Sequence, residues 1–179
     1  MLYMIQNTDY VILVNEKDEV LGTADKMQVH VDGILHRAFS IFILNNKGEL
    51  LLQQRAEDKY HSGGLWTNTC CSHPRPGEAT IDAAHRRLQE EMGFDCDLQP
   101  LFQMRYKSDV GNGLTEHEFD HIFLGKYDGP VIVNAAEVKA YSFMSLDEIE
   151  SRIAETPNTF TTWMRIAFPQ FLEYIAPKG

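Results

Sequence analysis

The sequence predicts an α/β fold, or α+β in the stricter usage, in which one mixed β-sheet is sandwiched between helices. Two observations predict this class. Short apolar runs typical of strands are interleaved with amphipathic helical segments along the chain. Several strands are joined by short turns, which favour antiparallel neighbours over a doubly wound parallel sheet. The 179 residues are expected to form one domain over residues 1–179, with a core at about 9–175.

The strands are predicted from apolar runs that end at turn residues. The clearest case is a hairpin, because the polar residues and the glycine at 45–48 favour a tight reversal between the runs 38–44 and 49–54. The other predicted strands cover residues 9–14, 19–23, 101–107, 116–127 and 138–144.

The helices are predicted from periodicity and capping residues. Residues 80–92 carry the strongest pattern, since apolar side chains recur there at three- and four-residue spacing and Gly93 follows as a stop. Ser145 and Glu148 have the spacing of a capping box, which predicts that a helix starts there. Two more helices are predicted, at residues 24–31 and, with a kink or break at Pro169, at about 159–174.

Composition and charge exclude several classes of protein. The formal net charge of -10 argues against nucleic-acid binding, which depends on Lys and Arg neutralising phosphates. No apolar run approaches the roughly 18 residues that a membrane-spanning helix needs, and residues 1–7 lack the features of a signal peptide. Three cysteines, two of them adjacent, make a poor disulfide framework. We therefore expect a cytoplasmic protein without membrane or nucleic-acid partners, and the sequence leaves its oligomeric state open.

Two glutamates and three histidines form a candidate metal site. Glu116 and Glu118 stand two residues apart in a predicted strand, so both carboxylates point to one face at a separation of about 6.6 Å. His30 and His36 flank a glycine-containing turn that can bring both imidazoles together. With His73, these side chains make an octahedral site with one open position for Mn²⁺, Mg²⁺ or Zn²⁺. The alternative for the two carboxylates is a solvated, acidic strand edge.

A thiol and several cations are candidate proton-transfer and anion-binding residues beside this site. Cys71 can serve as an acid or a base if a metal and nearby cations tune its protonation. The alternative is a small buried apolar residue, which is the interpretation adopted for Cys70 and Cys96. The candidate anion-binding cations, for which ordinary surface charge is the alternative, are Lys26, Arg55, Lys59 and Arg87. The histidines predicted not to bind metal are His61, His85, His117 and His121.

The run from residue 78 to residue 94 resembles the Nudix box, Gly-x5-Glu-x7-Arg-Glu-U-x-Glu-Glu-x-Gly-U, where U is a bulky apolar residue. The matching positions are Glu78, Arg86, Glu90, Glu91, Gly93 and Phe94. The sequence departs from the box at two positions. Ser72, six residues ahead of Glu78, stands in place of the leading glycine, and Arg87 replaces the glutamate after the first arginine. In Nudix hydrolases that glutamate belongs to the metal-binding set that drives attack of water on a diphosphate, so Arg87 weakens a hydrolase interpretation.

Those departures, together with other motifs, resemble the type I isopentenyl-diphosphate delta-isomerases. The motifs are residues 35–40, residues 67–74 and the pair Glu116-x-Glu118, which agree with the family in order and approximate spacing. The resemblance extends from about Tyr10 to Trp163. It implies a Nudix-like mixed sheet between helices, and the isomerisation of isopentenyl diphosphate to dimethylallyl diphosphate through a carbocation-like intermediate, a step of isoprenoid precursor biosynthesis.

The resemblance also implies roles for individual residues. The catalytic divalent metal would be bound by His30, His36, His73, Glu116 and Glu118. Protons would be handled by Cys71 and Glu118, with Tyr106 hydrogen-bonding near that glutamate. A Mg²⁺ shared with the substrate diphosphate would be held by Glu91, with the backbone carbonyl of Cys71 nearby. The diphosphate would contact Lys26, Arg55, Lys59 and Arg87, and Trp163 would face the isoprenoid tail. Many bacterial members have six residues between the first two metal histidines, whereas five lie between His30 and His36.

Two other functions compete with this one. A Nudix hydrolase acting on a nucleoside diphosphate derivative is disfavoured by Arg87 and by Cys71, which stands just ahead of the box helix. A non-catalytic module that senses a diphosphate metabolite would need the metal ligands, but it would need neither Cys71 nor Tyr106.

Overall fold

The computed structural model describes residues 10–177. Asp9 of the first predicted strand lies outside the described residues. The single domain predicted over residues 1–179 stays a prediction. The described strands are β1 (Tyr10–Val14), β2 (Val20–Asp25), β3 (His36–Leu44), β4 (Leu50–Arg55), β5 (Trp66–Thr67), β6 (Cys70–Ser72), β7 (Leu98–Gly111), β8 (Leu114–Lys126) and β9 (Val138–Met144). The described helices are α1 (Lys26–Asp32), α2 (Thr80–Met92), α3 (Leu146–Glu155) and α4 (Thr162–Ile175), with a 3₁₀ turn at Pro157–Thr159. Between residues 10 and 177, no helix is long and apolar enough to cross a membrane.

The strands form a mixed sheet centred on β3. This strand runs parallel to β8, with His36 opposite Glu118, and antiparallel to β6, with Ser40 opposite Cys71. Strands β7 and β8 form a long antiparallel hairpin, and β4 pairs antiparallel with β5 and β9. The predicted fold class is therefore confirmed. The register also brings β6 and β8 to the two sides of β3, which places their polar residues close together.

Helices cover the sheet on both faces, because successive residues of the buried strands point to opposite sides. On β3, Phe39 and Ile41 lie in one apolar cluster with Leu88 of α2. Phe42 lies in the other cluster, where its ring stacks on that of Phe171 of α4 at a centroid distance of 4.6 Å. Burial on both faces explains why β3 reads as a nearly continuous apolar run.

Three predicted elements agree closely with the structure. Helix α2 and strand β9 have the predicted bounds, and Gly93 ends α2 in the left-handed conformation. The predicted hairpin is formed by β3 and β4, with Leu44 opposite Leu50. Strand β7 is longer than the predicted 101–107, because it pairs with β8 along almost its whole length.

The predicted helix at residues 24–31 starts too early. Ala24 belongs to β2, where it lies opposite Val11 of β1. Asp25 then caps α1, since its side chain accepts a hydrogen bond from the Gln28 N–H. The extended pairing with β1 and the cap together delay the start of the helix to Lys26.

The two C-terminal helices follow the prediction with one difference. Ser145 caps α3 by accepting from the Glu148 N–H, as the predicted capping box requires of its first residue. Helix α4 begins at Thr162 rather than near residue 159, because Pro157–Thr159 forms the 3₁₀ turn. Pro169 lies inside α4 and does not divide it.

Gly93→Ala is expected to destabilise the fold strongly. Gly93 has a φ of +76°, and a Cβ at this position would lie 2.2 Å from the backbone oxygen of Ile132. The left-handed conformation costs an L-residue about 1–2 kcal/mol, and the backbone overlap adds to that, so the free energy of unfolding should fall by at least about 2 kcal/mol. Chemical denaturation measures the loss. Gly48→Ala is the control, because Gly48 also has a φ of +76° but has open space around a built Cβ. Equal losses in the two variants would contradict the importance of the Ile132 contact.

Candidate active site

Four of the predicted metal ligands come together at one end of β3 and β8. Donor atoms of His30, His36, His73 and Glu116 all lie within 4.8 Å of one another. Helix α1 supplies His30, strand β3 begins with His36, strand β8 carries Glu116, and His73 follows β6. The five-residue spacer between the first two histidines is long enough to bring them together, because Gly33 ends α1 with a φ of +62°.

The backbone determines which ring nitrogen of two histidines faces this cluster. Nδ1 of His30 lies 2.7 Å from the carbonyl oxygen of Lys26, and Nδ1 of His36 lies 2.9 Å from that of Ile34. A carbonyl oxygen only accepts hydrogen bonds, so each Nδ1 carries a proton, and the ring in its neutral form presents an unprotonated Nε2 to the cluster. Metal-binding histidines are oriented in this way.

Inside the cluster, buried nitrogen and oxygen atoms lack partners among the described residues, and a bound cation would supply one. Nε2 of His36 lies 3.2 Å from Nε2 of His73, and burial lowers the pKa of His36 to about 4. His36 presents a lone pair at Nε2, and a cation bound there would accept it together with the Nε2 lone pair of His73 in its Nδ1-protonated form. Nε2 of His30 and Oε2 of Glu116 are also buried, and neither has a hydrogen-bond partner among residues 10–177. This donor set of nitrogen and oxygen atoms fits a divalent metal ion.

Glu118 lies at the edge of the cluster and joins it to a tyrosine. Its Oε1 is 3.0 Å from Nε2 of His73 and 3.7 Å from Nε2 of His36. Its Oε2 accepts a hydrogen bond of 2.7 Å from the Tyr106 hydroxyl. Burial, followed by the negative charges of Glu116 and Asp120, raises the pKa of the Glu118 carboxyl well above its usual value. A carboxyl with a raised pKa keeps its proton at neutral pH and can donate it.

A third buried carboxyl follows on the same face of β8. Asp120 is fully buried, and the Ser40 hydroxyl donates to it over 2.8 Å. Burial raises the pKa of Asp120 to about 7. The alternative of a solvated acidic edge is therefore wrong for Glu116 and Glu118, which are 3% and 7% exposed.

The predicted anion-binding cations line one cavity of about 210 Å³. Burial, followed by the nearby charge of Lys59, lowers the pKa of Lys26. Two arginines that were not predicted as binding residues, Arg75 and Arg86, line the same cavity. The cavity therefore collects cations on a protein whose net charge is negative, as the predicted local anion site requires. The four predicted cations in it are Lys26, Arg55, Lys59 and Arg87.

Glu91 also lines this cavity and lies beside Arg87. The Arg87 guanidinium donates to Oε1 of Glu91 over 2.5 Å and lies 3.3 Å from Oε1 of Glu137. Glu137 also pairs with Lys59, so one carboxylate contacts two of the predicted cations and offsets part of their charge. At the start of the box, Glu78 accepts two hydrogen bonds from Arg86. These bonds fix the loop ahead of α2 against the helix.

A narrower cavity of about 30 Å³ adjoins the first and reaches the cluster. Cys71 and His73 line both cavities, whereas Tyr106, Glu118 and Trp163 line only the inner one. Burial raises the pKa of the Cys71 thiol to about 12, although the charge of Arg55 opposes this shift. Cys70 is fully buried in the core, as predicted. The inner cavity therefore contains both predicted proton-handling residues and an aromatic wall.

Sequence reasoning did not identify His61 and Glu137 as residues of this region. Both lie on irregular segments, so neither has a periodic pattern or a motif that would reveal its neighbours. His61 was predicted not to bind metal, and its Nε2 lies 2.6 Å from Oε1 of Glu116. The excess of acidic residues in the sequence hides Glu137 among ordinary surface charges.

The fold and the site define a NUDIX-domain protein, since the NUDIX domain model matches residues 34–164. A Deinococcus radiodurans structure covers 82% of this chain and 90% of its own with a TM-score of 0.69 at 20% identity. A MutT protein from Methanosarcina mazei gives a TM-score of 0.65 at 22% identity and covers 78% of this chain and 94% of its own. At these identities the structures show the shared fold alone.

Relatives with similar sequences identify one family within the NUDIX-domain proteins. The isopentenyl-diphosphate Delta-isomerase of Pectobacterium atrosepticum is 51% identical over 92% of each chain. That of Burkholderia multivorans is 51% identical over 85% of this chain and 86% of its own. The chain belongs to the isopentenyl-diphosphate Delta-isomerases of the NUDIX superfamily.

Proposed function

We propose that the protein isomerises isopentenyl diphosphate to dimethylallyl diphosphate, with Cys71 and Glu118 as its two proton-handling residues. The observation that carries this proposal is that both residues line one narrow cavity, between the histidine cluster and the cavity rich in cations. A thiol, a carboxyl and an aromatic ring around a small space suit a proton-transfer reaction on a short hydrocarbon. Membership of the isomerase family supports the same reaction.

The two adjoining cavities suggest how the substrate lies. The diphosphate binds in the wider cavity, where Lys26, Arg55, Lys59 and Arg87 supply positive charge. The five-carbon tail enters the narrower cavity, whose walls include Phe39 and Trp163. This orientation directs the alkene towards Cys71 and Glu118. We also propose that the protein acts on this substrate in the cytoplasm.

Two divalent ions complete the proposal. The first, Mn²⁺, Mg²⁺ or Zn²⁺, would be held by His30, His36, His73, Glu116 and Glu118. The second, Mg²⁺, would be held by Glu91 and the Cys71 backbone carbonyl when the substrate diphosphate is bound. When bound, these ions supply positive charge that polarises the Glu118 carboxyl, neutralises the diphosphate and favours the Cys71 thiolate.

The proposed reaction moves one proton onto the substrate and removes another. Glu118 donates a proton to the terminal methylene carbon, which becomes a methyl group and leaves positive charge on the tertiary carbon. Cys71 takes a proton from the adjacent allylic carbon, and the electrons of that C–H bond form the new double bond. The proton shared by the pair has then moved from Glu118 to Cys71, and exchange with water restores the starting form. In the reverse reaction the two roles are exchanged.

Trp163 gives the inner cavity a means to favour the positively charged intermediate. The face of an aromatic ring attracts a cation and has little preference for a neutral alkene. A desolvated cation over a tryptophan gains about 2 kcal/mol. Because this interaction is stronger in the charged state than in the substrate, it lowers the barrier and does not merely tighten binding.

Tyr106→Phe is expected to lower kcat about ten- to a hundredfold, because it removes a hydrogen bond to Glu118 of the kind worth about 1.5–3 kcal/mol. The ring and its packing remain, so Mn²⁺ affinity should change little. Steady-state kinetics and Mn²⁺ titration measure the two effects. Tyr141→Phe is the matched control, since Tyr141 lies exposed on β9. A Tyr106→Phe variant with normal kcat would show that the hydroxyl does not assist proton transfer.

The experiment that tests the proposed function uses purified protein with isopentenyl diphosphate, Mg²⁺ and Mn²⁺. Dimethylallyl diphosphate and released phosphate are measured in the same sample. The proposal predicts the allylic product without phosphate. Phosphate without allylic product would favour a hydrolase, and neither product would favour a module that only binds a diphosphate. Arg87, which replaces a metal-binding glutamate of the hydrolases, argues against phosphate release.

A further inference from the structure

We propose that His61 is a positioning residue that orients Glu116 for metal binding. This inference rests on the proposed function, because it concerns the proposed metal site. His61 is 2% exposed, and its Nε2 lies 2.6 Å from Oε1 of Glu116. At this distance the two atoms are in polar contact, and a rotation of the imidazole would align them as a hydrogen bond, since Nε2 of His61 has no hydrogen-bond partner among residues 10–177.

The contact leaves the two oxygens of Glu116 with different neighbours. Oε1 faces His61, whereas Oε2 lies 3.2 Å from Nε2 of His30 and 3.8 Å from Nε2 of His36. Oε2 is also the buried oxygen without a hydrogen-bond partner within residues 10–177. A carboxylate with one oxygen tied to a fixed group presents the other oxygen in a defined direction. His61 therefore directs Oε2 towards the histidines of the cluster.

The loop between β4 and β5 holds His61 rigidly enough for this role. The Arg55 guanidinium donates to the backbone carbonyl of His61 over 3.1 Å. Residue Gly63 leaves no room for a side chain, because a Cβ there would lie 2.3 Å from the backbone oxygen of Glu57. The imidazole also packs edge-on against the Trp163 ring at a centroid distance of 5.8 Å. Backbone and ring are thus held by different neighbours.

The same contacts link the metal cluster to the substrate cavities. Arg55 lines both cavities and lies 5.2 Å from the centre of the Trp163 ring. His61 touches this pair and Glu116 at once, so its position depends on both the cation cavity and the proposed hydrocarbon wall. Its role is to orient the carboxylate, and no proton-transfer step is assigned to it.

Two substitutions separate the polar contact with Glu116 from simple packing. His61→Leu fills a similar volume without a donor, and we expect the affinity for Mn²⁺ to fall about ten- to a hundredfold, as for other residues that orient metal ligands. His61→Gln places an amide N–H at a similar reach to Nε2, so it should restore most of that affinity. The affinity for Mg²⁺ with inorganic pyrophosphate should stay within a few-fold in both variants, because Arg55 donates to the backbone carbonyl of His61, which both substitutions keep.

Mn²⁺ affinity is measured by competition with a chelator, without substrate, on folded protein verified by thermal unfolding. His85→Leu is the control, since His85 lies partly exposed on α2 and pairs with Asp95. Unchanged Mn²⁺ affinity in His61→Leu would overturn the proposal. Equal losses in His61→Leu and His61→Gln would overturn it as well, because they would show that the imidazole itself is required. If the parent protein binds none of Mn²⁺, Mg²⁺ and Zn²⁺ in this assay, the proposed metal site and this inference are both refuted, whereas a parent that binds metal but does not isomerise refutes only the proposed reaction.

Discussion

Cys71→Ala is expected to abolish isomerisation while leaving metal and diphosphate binding nearly intact. The side chain removed is the proposed base of the inner cavity, and loss of a general base costs about 10²–10⁴-fold in rate. The Cys71 backbone, which is the part proposed to lie near Mg²⁺, is unchanged by the substitution. Turnover of isopentenyl diphosphate, Mn²⁺ affinity and Mg²⁺–pyrophosphate affinity are measured on the same preparation.

Cys96→Ala is the matched control for that experiment. Cys96 is another partly buried free cysteine, and it packs against the apolar cluster on the α2 side, away from both cavities. Its replacement should leave turnover unchanged. Near-normal turnover by Cys71→Ala would refute the catalytic role of the thiol, and loss of pyrophosphate binding in that variant would indicate that the substitution disturbs the cation cavity.

Glu118→Gln is expected to impair two measurable properties at once. The amide cannot donate the proton of a carboxylic acid, so kcat should fall by about 10²-fold or more. It is also a weaker metal ligand than a carboxylate, so Mn²⁺ affinity should fall, because Oε1 of Glu118 lies only 3.0 Å from Nε2 of His73. Kinetics at saturating Mn²⁺ separate the two effects.

Glu148→Gln makes the same chemical change at a neutral position. Glu148 lies on the exposed surface of α3, where it pairs with Arg152. Its replacement should leave kcat and Mn²⁺ affinity unchanged, since an exposed ion pair contributes little. A Glu118→Gln variant that is fully active and binds Mn²⁺ as tightly as the parent protein would refute both proposed roles of Glu118.

The sequence predicted best where one local pattern determines an element. Helix α2 has the predicted bounds because its apolar spacing and Gly93 agree. Strands β5 and β6 were not predicted, because two or three residues of mixed polarity carry no periodic signal. Their pairing partners come from distant parts of the chain, such as Ile41 opposite Cys70. That pairing places Cys71 beside β3.

The site shows the same division between local and distant information. The strand spacing alone predicts that Glu116 and Glu118 share a face. That the shared face is buried follows only from the parallel pairing of β3 with β8. The contact of His61 with Glu116 joins a loop to a strand 55 positions later in the chain, and no local pattern encodes such a contact. Sequence motifs therefore identify the reacting groups, whereas the groups that orient them require the folded structure.

The most direct test of the central claim is to run the reaction in D₂O and determine the product by NMR at early conversion. Proton donation by an exchangeable carboxyl predicts a single deuterium in the newly formed methyl group of dimethylallyl diphosphate, with no phosphate released. Dimethylallyl diphosphate without solvent deuterium would contradict the account, because the hydrogen would then pass from carbon to carbon without Glu118 and Cys71.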